Sequence, residues 1–158
     1  MAAKLSAAGI TPKPISYTRA KPGGDFGPEL EDVRRARDAL LKSGAQKLAL
    51  IGRSFGGRVC TRLAALEPPV ALVLLGHPIS PPNRPRPDDE AALEAVSCPT
   101  LIVQGDRDRL GPLAVLQRIA RSNKHIQICV LKDAGHQFGP RQNEGLEHAT
   151  AWLLEVMQ

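Results

Sequence analysis

The chain has 158 residues, 42% of them hydrophobic, which suffices for one domain built around one core. No apolar run approaches the roughly 18 residues that span a membrane, and Met1-Ala2-Ala3-Lys4-Leu5 opens no stretch of signal-peptide type, so a soluble cytoplasmic protein is expected. The net charge is +5, and its densest basic cluster, Arg34, Arg35 and Arg37, has no interleaved aromatics and no nucleic-acid motif, which favours a solvated helix face over nucleic-acid binding.

Met1–Ala8 reads as a short helix. Thr11–Tyr17 reads as a strand at an edge or on an irregular path, because Pro12 and Pro14 each remove a backbone donor. Pro28–Ser43 then places Val33, Ala36 and Leu40 on one helical stripe, with Gly44 as a C-terminal stop. Lys47–Ile51 is a short apolar strand, followed by a helix over Phe55–Leu66 and a second strand over Val70–Leu75. Pro78–Pro87 contains five prolines and reads as a stiff surface loop, with a short helix over Asp88–Ala95. The strand Thr100–Gln104, the helix Pro112–Arg121, the strand Ile126–Leu131 and the helix Asn143–Met157 complete the chain. Short Leu/Val/Ile runs alternating with helices predict an α/β fold in one domain over residues 1–158. Its expected form is a mostly parallel sheet of about five strands, with helices on both faces and right-handed crossovers.

Cys60, Cys98 and Cys129 are odd in number and lack metal-type spacing. Each sits in or beside an apolar stretch, so buried thiols are expected rather than a disulfide framework.

Chemistry concentrates at the ends of three predicted strands. Gly52-Arg53-Ser54-Phe55-Gly56 follows Leu48–Ile51 and has the G-x-S-x-G form of a nucleophile elbow, with small residues where a strand and helix cross closely. A serine hydroxyl needs a base to become a nucleophile. Gly105-Asp106-Arg107-Asp108 follows the strand Thr100–Gln104 and offers two aspartates on the same rim. Either fits an acid that orients a histidine, and either also fits a turn or a helix cap. His136, one loop after Ile126–Leu131, is placed to act as the base. The order Ser, Asp, His, with each candidate following a strand, is that of α/β-hydrolases.

On these segments the chain resembles a small α/β-hydrolase, similar to the dienelactone hydrolase-like group. Gly52 to Gly56 resembles the elbow, and Cys98-Pro99-Thr100-Leu101-Ile102-Val103-Gln104-Gly105-Asp106-Arg107-Asp108 resembles the family's Pro-Thr-Leu strand and Gly-x-x-Asp turn. Ala134-Gly135-His136 resembles its histidine loop. The resemblance implies Ser54 as nucleophile, Asp108 rather than Asp106 as the acid, His136 as base and the Phe55 amide as an oxyanion donor. It implies no metal and no organic cofactor.

The chain departs from that pattern upstream of Ser54. The family's strand ending in a His-Gly loop, source of the second oxyanion donor, has no counterpart, and Gly23-Gly24 is the only glycine pair there. A shortened fold is expected, with Met1–Gly9 matching the back half of a helix and one strand position left empty beside Lys47–Ile51. Loss of one oxyanion donor costs about 10²–10³ in rate, so weak activity is expected. The reading is a serine hydrolase of small esters, monomeric or homodimeric, with a small-molecule substrate. The alternative is a non-catalytic binding or scaffold protein of the same fold.

Overall fold

The computed structural model describes residues 1–19 and 24–158. In chain order it forms α1 (Ala2–Ala7), α2 (Gly27–Lys42), β1 (Ala49–Arg53), α3 (Phe55–Leu66), β2 (Ala71–Leu75), α4 (Pro87–Glu94), β3 (Thr100–Gly105), α5 (Leu113–Ser122), β4 (Ile126–Leu131) and α6 (Gln142–Met157). The strands make one parallel sheet in the order β1-β2-β3-β4.

All five residues of β2 are buried, and their alternation sets the layers. Leu72 and Leu74 point to one face, where they meet Cys60 and Ala64 of α3, Leu93 of α4, and Leu116 and Ile119 of α5. Ala71, Val73 and Leu75 point to the other, against Leu5 of α1 and Ala149 and Leu153 of α6. The three crossover helices thus share one face, as a sheet that grows one strand at a time with constant handedness requires. Helix α2 packs outside α3, through Val33 against Val59 and Leu63. Truncating a side chain such as Leu74 to alanine in this core costs about 2–5 kcal/mol.

The expected fifth strand does not form. Residues 11–17 adopt no regular secondary structure, and among the described residues β1 pairs only with β2. Pro12 and Pro14 lack the N–H groups a ladder needs. Within β1, the Leu48 carbonyl accepts from Val70 and the Ser54 amide donates to Leu75, so even-numbered residues face β2. The backbone groups of Ala49, Ile51 and Arg53 therefore point to the open edge, and Ile51 is 39% exposed.

The proline-rich loop also differs from its expected place at the surface. His77, Pro78 and Ile79 are buried, with Ile79 inside the core beneath α3 and α4. The surface portion begins at Ser80, whose hydroxyl accepts from the Arg86 amide and donates to Glu90, closing the loop on itself. The basic cluster on α2 is ion-paired: Arg34 and Arg37 share Glu67, and Arg35 meets Asp32. Cys60 and Cys98 are buried free thiols, whereas Cys129 is half-buried. Among the described residues no helix is long and apolar enough to cross a membrane.

Candidate active site

Ser54 stands between the last residue of β1 and the first of α3, with φ 50 and ψ −120. A non-glycine residue at positive φ is strained, and here the strain turns a strand into a helix with no intervening loop. Gly52 permits the turn. A Cβ on it would stand 2.6 Å from the Gly56 carbonyl oxygen and the Gly57 Cα, too close for any side chain.

The structure brings three of the residues singled out in the sequence into one hydrogen-bonded chain. Ser54 Oγ lies 2.8 Å from His136 Nε2, and His136 Nδ1 lies 2.8 Å from Asp108 Oδ2. With the proton on Nδ1, His136 donates to Asp108 and leaves Nε2 free to accept from Ser54. Asp108 is fully buried at its side chain and His136 is 20% exposed. The competing Asp106 is exposed.

The other oxygen of Asp108, Oδ1, accepts from the Leu110 amide at 2.8 Å and the Gly111 amide at 3.3 Å. Oδ2 also accepts from the side-chain amide of Gln104 at 2.8 Å. The buried carboxylate is thus surrounded by donors, which is the condition for holding a charge away from water.

The histidine loop is anchored from both sides. Arg53, beside Ser54, donates to the Gln137 carbonyl at 3.0 Å, and its guanidinium lies 5.2 Å from the centroid of the buried Phe138 ring. The Arg107 amide donates to the Ala134 carbonyl at 2.9 Å.

Phe55 is the first residue of α3, and among the described residues its amide has no hydrogen-bond acceptor. It points from a helix N-terminus beside the Ser54 hydroxyl, where negative charge is favoured. The Phe55 ring stacks on Phe26 at 5.7 Å and meets Tyr17 edge-on at 5.7 Å. Burial pushes the Tyr17 phenol up to about 12, with Cys60, Glu29 and Asp32 adding to the shift. Gly23 lies outside the described residues, and Gly24 is exposed in a bend.

Behind this rim, on the buried side of α3, lies His77. It is fully buried, neither ring nitrogen has a hydrogen-bond partner, and desolvation pushes its pKa down to about 4. Asp89 bridges Arg58 and Arg62 nearby, at 2.7 Å to each, and both guanidinium groups lie over the Phe26 ring. Among the described residues no cluster of three or more His, Cys, Asp or Glu side chains is arranged to hold a metal ion.

Sequence reasoning missed Gln104, Arg53 and His77 as parts of this region. Gln104 carried a usable signal: an amide side chain at the end of an otherwise apolar buried strand must find partners.

A family model described as alpha/beta hydrolase domain matches residues 18–157. Among solved structures, an alpha-beta serine hydrolase homologue from Coxiella burnetii is 21% identical and covers 96% of this chain and 74% of its own, with a TM-score of 0.75. A putative alpha/beta hydrolase from Agrobacterium tumefaciens is 19% identical over 96% of this chain and 72% of its own, with a TM-score of 0.74. Est1E from Butyrivibrio proteoclasticus, in a structure with ferulic acid bound, is 18% identical over 99% and 81%, with a TM-score of 0.76. At these identities the likeness is one of fold. No curated protein sequence matches the chain. The family model covers nearly the whole sequence, and with the parallel sheet and the elbow it settles the assignment: the chain belongs to the alpha/beta hydrolase domain family.

Proposed function

We propose that this chain is a serine hydrolase of the carboxylesterase or dienelactone hydrolase-like type, acting on a small ester or related acyl substrate. The observation that carries the reading is the unbroken hydrogen-bonded chain from Ser54 through His136 to Asp108. The similarity in fold to a serine hydrolase homologue and to Est1E supports it.

In this reading Ser54 Oγ attacks the substrate carbonyl as its proton passes to His136 Nε2. The Phe55 N–H stabilises the oxyanion that forms. His136 then gives its proton to the leaving alcohol, and the acyl group remains on Ser54. Water attacks the acyl-enzyme by the same route: His136 takes a proton from it, and Ser54 recovers that proton as the acid departs. Asp108 holds the imidazole in one tautomer and stabilises the imidazolium. Among the described residues the Phe55 amide is the oxyanion donor identified, and a site working with one donor in place of two is slower by about 10²–10³.

The test is hydrolysis of p-nitrophenyl acetate by the purified protein. Saturable release of nitrophenol that disappears in Ser54→Ala is expected. Release that is unchanged in Ser54→Ala would assign the activity elsewhere, and its absence from well-folded protein would favour a binding role.

A further inference from the structure

Gln104 is fully buried at the end of β3, and every hydrogen-bonding group of its side chain is used. Its Oε1 accepts from the His77 amide at 2.8 Å. Its Nε2 donates to Asp108 Oδ2 and to the Gly111 carbonyl, each at 2.8 Å. One side chain therefore joins the loop after β2 to both ends of the turn that carries Asp108.

The two loops meet closely around it. The Ile79 amide donates to the Leu110 carbonyl at 3.2 Å. A Cβ on Gly111 would stand 2.0 Å from the His77 carbonyl oxygen and 2.6 Å from Gln104 Nε2, so only glycine lets the contact form.

Within this junction the two oxygens of Asp108 are not equivalent. Oδ1 is taken by the Leu110 and Gly111 amides, which any tight turn supplies. Oδ2 is shared by two side chains from different elements, His136 in the loop after β4 and Gln104 at the end of β3. The Gln104 donor fixes the rotation of the carboxylate and with it the direction from which His136 is held.

We infer that Gln104 is a positioning residue for the proposed hydrolysis: its amide orients Asp108 Oδ2 toward His136 and locks that orientation to the loop after β2. The inference rests on the serine hydrolase reading. Gln104 touches neither Ser54 nor a reacting atom, so it acts through Asp108. A misplacement of the acid and base by about 1 Å costs up to roughly 10²-fold in rate.

Two variants test this on p-nitrophenyl acetate, with rates referred to active sites titrated by a fluorophosphonate so that misfolded protein does not count. Gln104→Met keeps the length of the side chain and removes its donors. It is expected to lower kcat about 10- to 100-fold at every pH from 6 to 9, with KM within twofold of wild type. Gln104→Glu keeps an acceptor for the His77 amide and replaces the donor with an acid. The titratable groups facing that position are Asp108, which it would contact directly, and beyond it His136 and His77. Two adjacent buried carboxyls share a proton. Near pH 6 the protonated Glu donates to Asp108 Oδ2 in place of the amide. Near pH 9 it is ionised and repels Asp108. The kcat of Gln104→Glu relative to wild type should therefore fall at least tenfold between pH 6 and pH 9, a slope that a purely structural role would not produce. Wild-type kcat in both variants across that range, or equal loss at every pH in Gln104→Glu, would overturn the inference. Inactivity and lack of labelling in the wild type would instead remove the serine hydrolase reading beneath it.

Discussion

His136 Nε2 lies 2.8 Å from Ser54 Oγ across 82 residues of chain, and the two reach each other from the ends of β4 and β1, opposite edges of the sheet. β2 and β3 lie between those strands. The histidine loop must therefore fold back over the sheet, and Arg53 holds it there through the Gln137 carbonyl.

That geometry makes the acid separable from the nucleophile. Asp108→Asn keeps the shape of the side chain but favours the wrong imidazole tautomer. It should lower kcat by about 10³–10⁴ on p-nitrophenyl acetate while the protein still unfolds cooperatively. Asp106→Asn, at an exposed position, should leave kcat within about twofold. Equal effects from the two substitutions would remove Asp108 from the account.

The elbow tolerates no side chain at Gly52. Gly52→Ala forces a Cβ into the backbone of Gly56 and Gly57, and such overpacking costs about 1–3 kcal/mol. Urea denaturation should show that loss, and the esterase rate per folded molecule should fall as the turn opens. An unchanged denaturation midpoint would show that the strand and helix can part without cost.

Stability should fall on acidification because of His77. Its folded pKa, about 4, lies below the ordinary histidine value of 6.5, so between those limits the unfolded chain binds more protons than the folded one. The stability present above pH 6.5 is then lost progressively down to pH 4, by about 3 kcal/mol in all. Burial is the main cause of the lowered pKa, Arg58 and Arg86 beside the ring add to it, and together they outweigh Asp89, which acts in the opposite direction. His77→Leu has no group to protonate and leaves no orphaned ring nitrogen. It should flatten the slope between pH 6.5 and pH 4, as read from urea denaturation across that range. A variant with the wild-type slope would place the acid sensitivity elsewhere.

Tyr17 is the chain's only tyrosine, so its titration can be read without overlap. Its phenol is pushed up to about 12 in the folded protein, chiefly by burial against α3, while the unfolded chain ionises near 10. Folding stability is thus expected to decline from pH 10 toward 12. The phenolate absorbance should stay absent at pH 11 until the protein unfolds. Ionisation at pH 10 in folded protein would mean that Tyr17 is not held against Phe55.

Most of the fold was legible because each buried strand is a compact apolar run. Ile126–Leu131 has the same limits in sequence and structure. β1 runs two residues later than its apolar run suggests, since Gly52 and Arg53 lie in register with Leu74 and Leu75 and the ladder continues to the Ser54 amide, which hydrophobicity does not report. Thr11–Tyr17 looked strand-like from its residues and its place in the chain, but among the described residues no strand pairs with it. Ser54, His136 and the pair Asp106 and Asp108 stood out because each follows a strand, and only the family resemblance singled out Asp108 from the two aspartates. Gln104 did not stand out, since its contacts depend on Gly111 and His77 arriving beside the end of β3 from two loops. His77 was hidden because the proline-rich segment it precedes reads as surface, whereas its first residues enter the core.

The most direct test of the central claim is labelling with a fluorophosphonate, followed by peptide mass analysis. The account predicts a single adduct on Ser54. It should be absent in Ser54→Ala and greatly slowed in His136→Ala, with both variants melting as cooperatively as wild type. Well-folded wild-type protein that takes up no label, or takes it up at a residue other than Ser54, would contradict it.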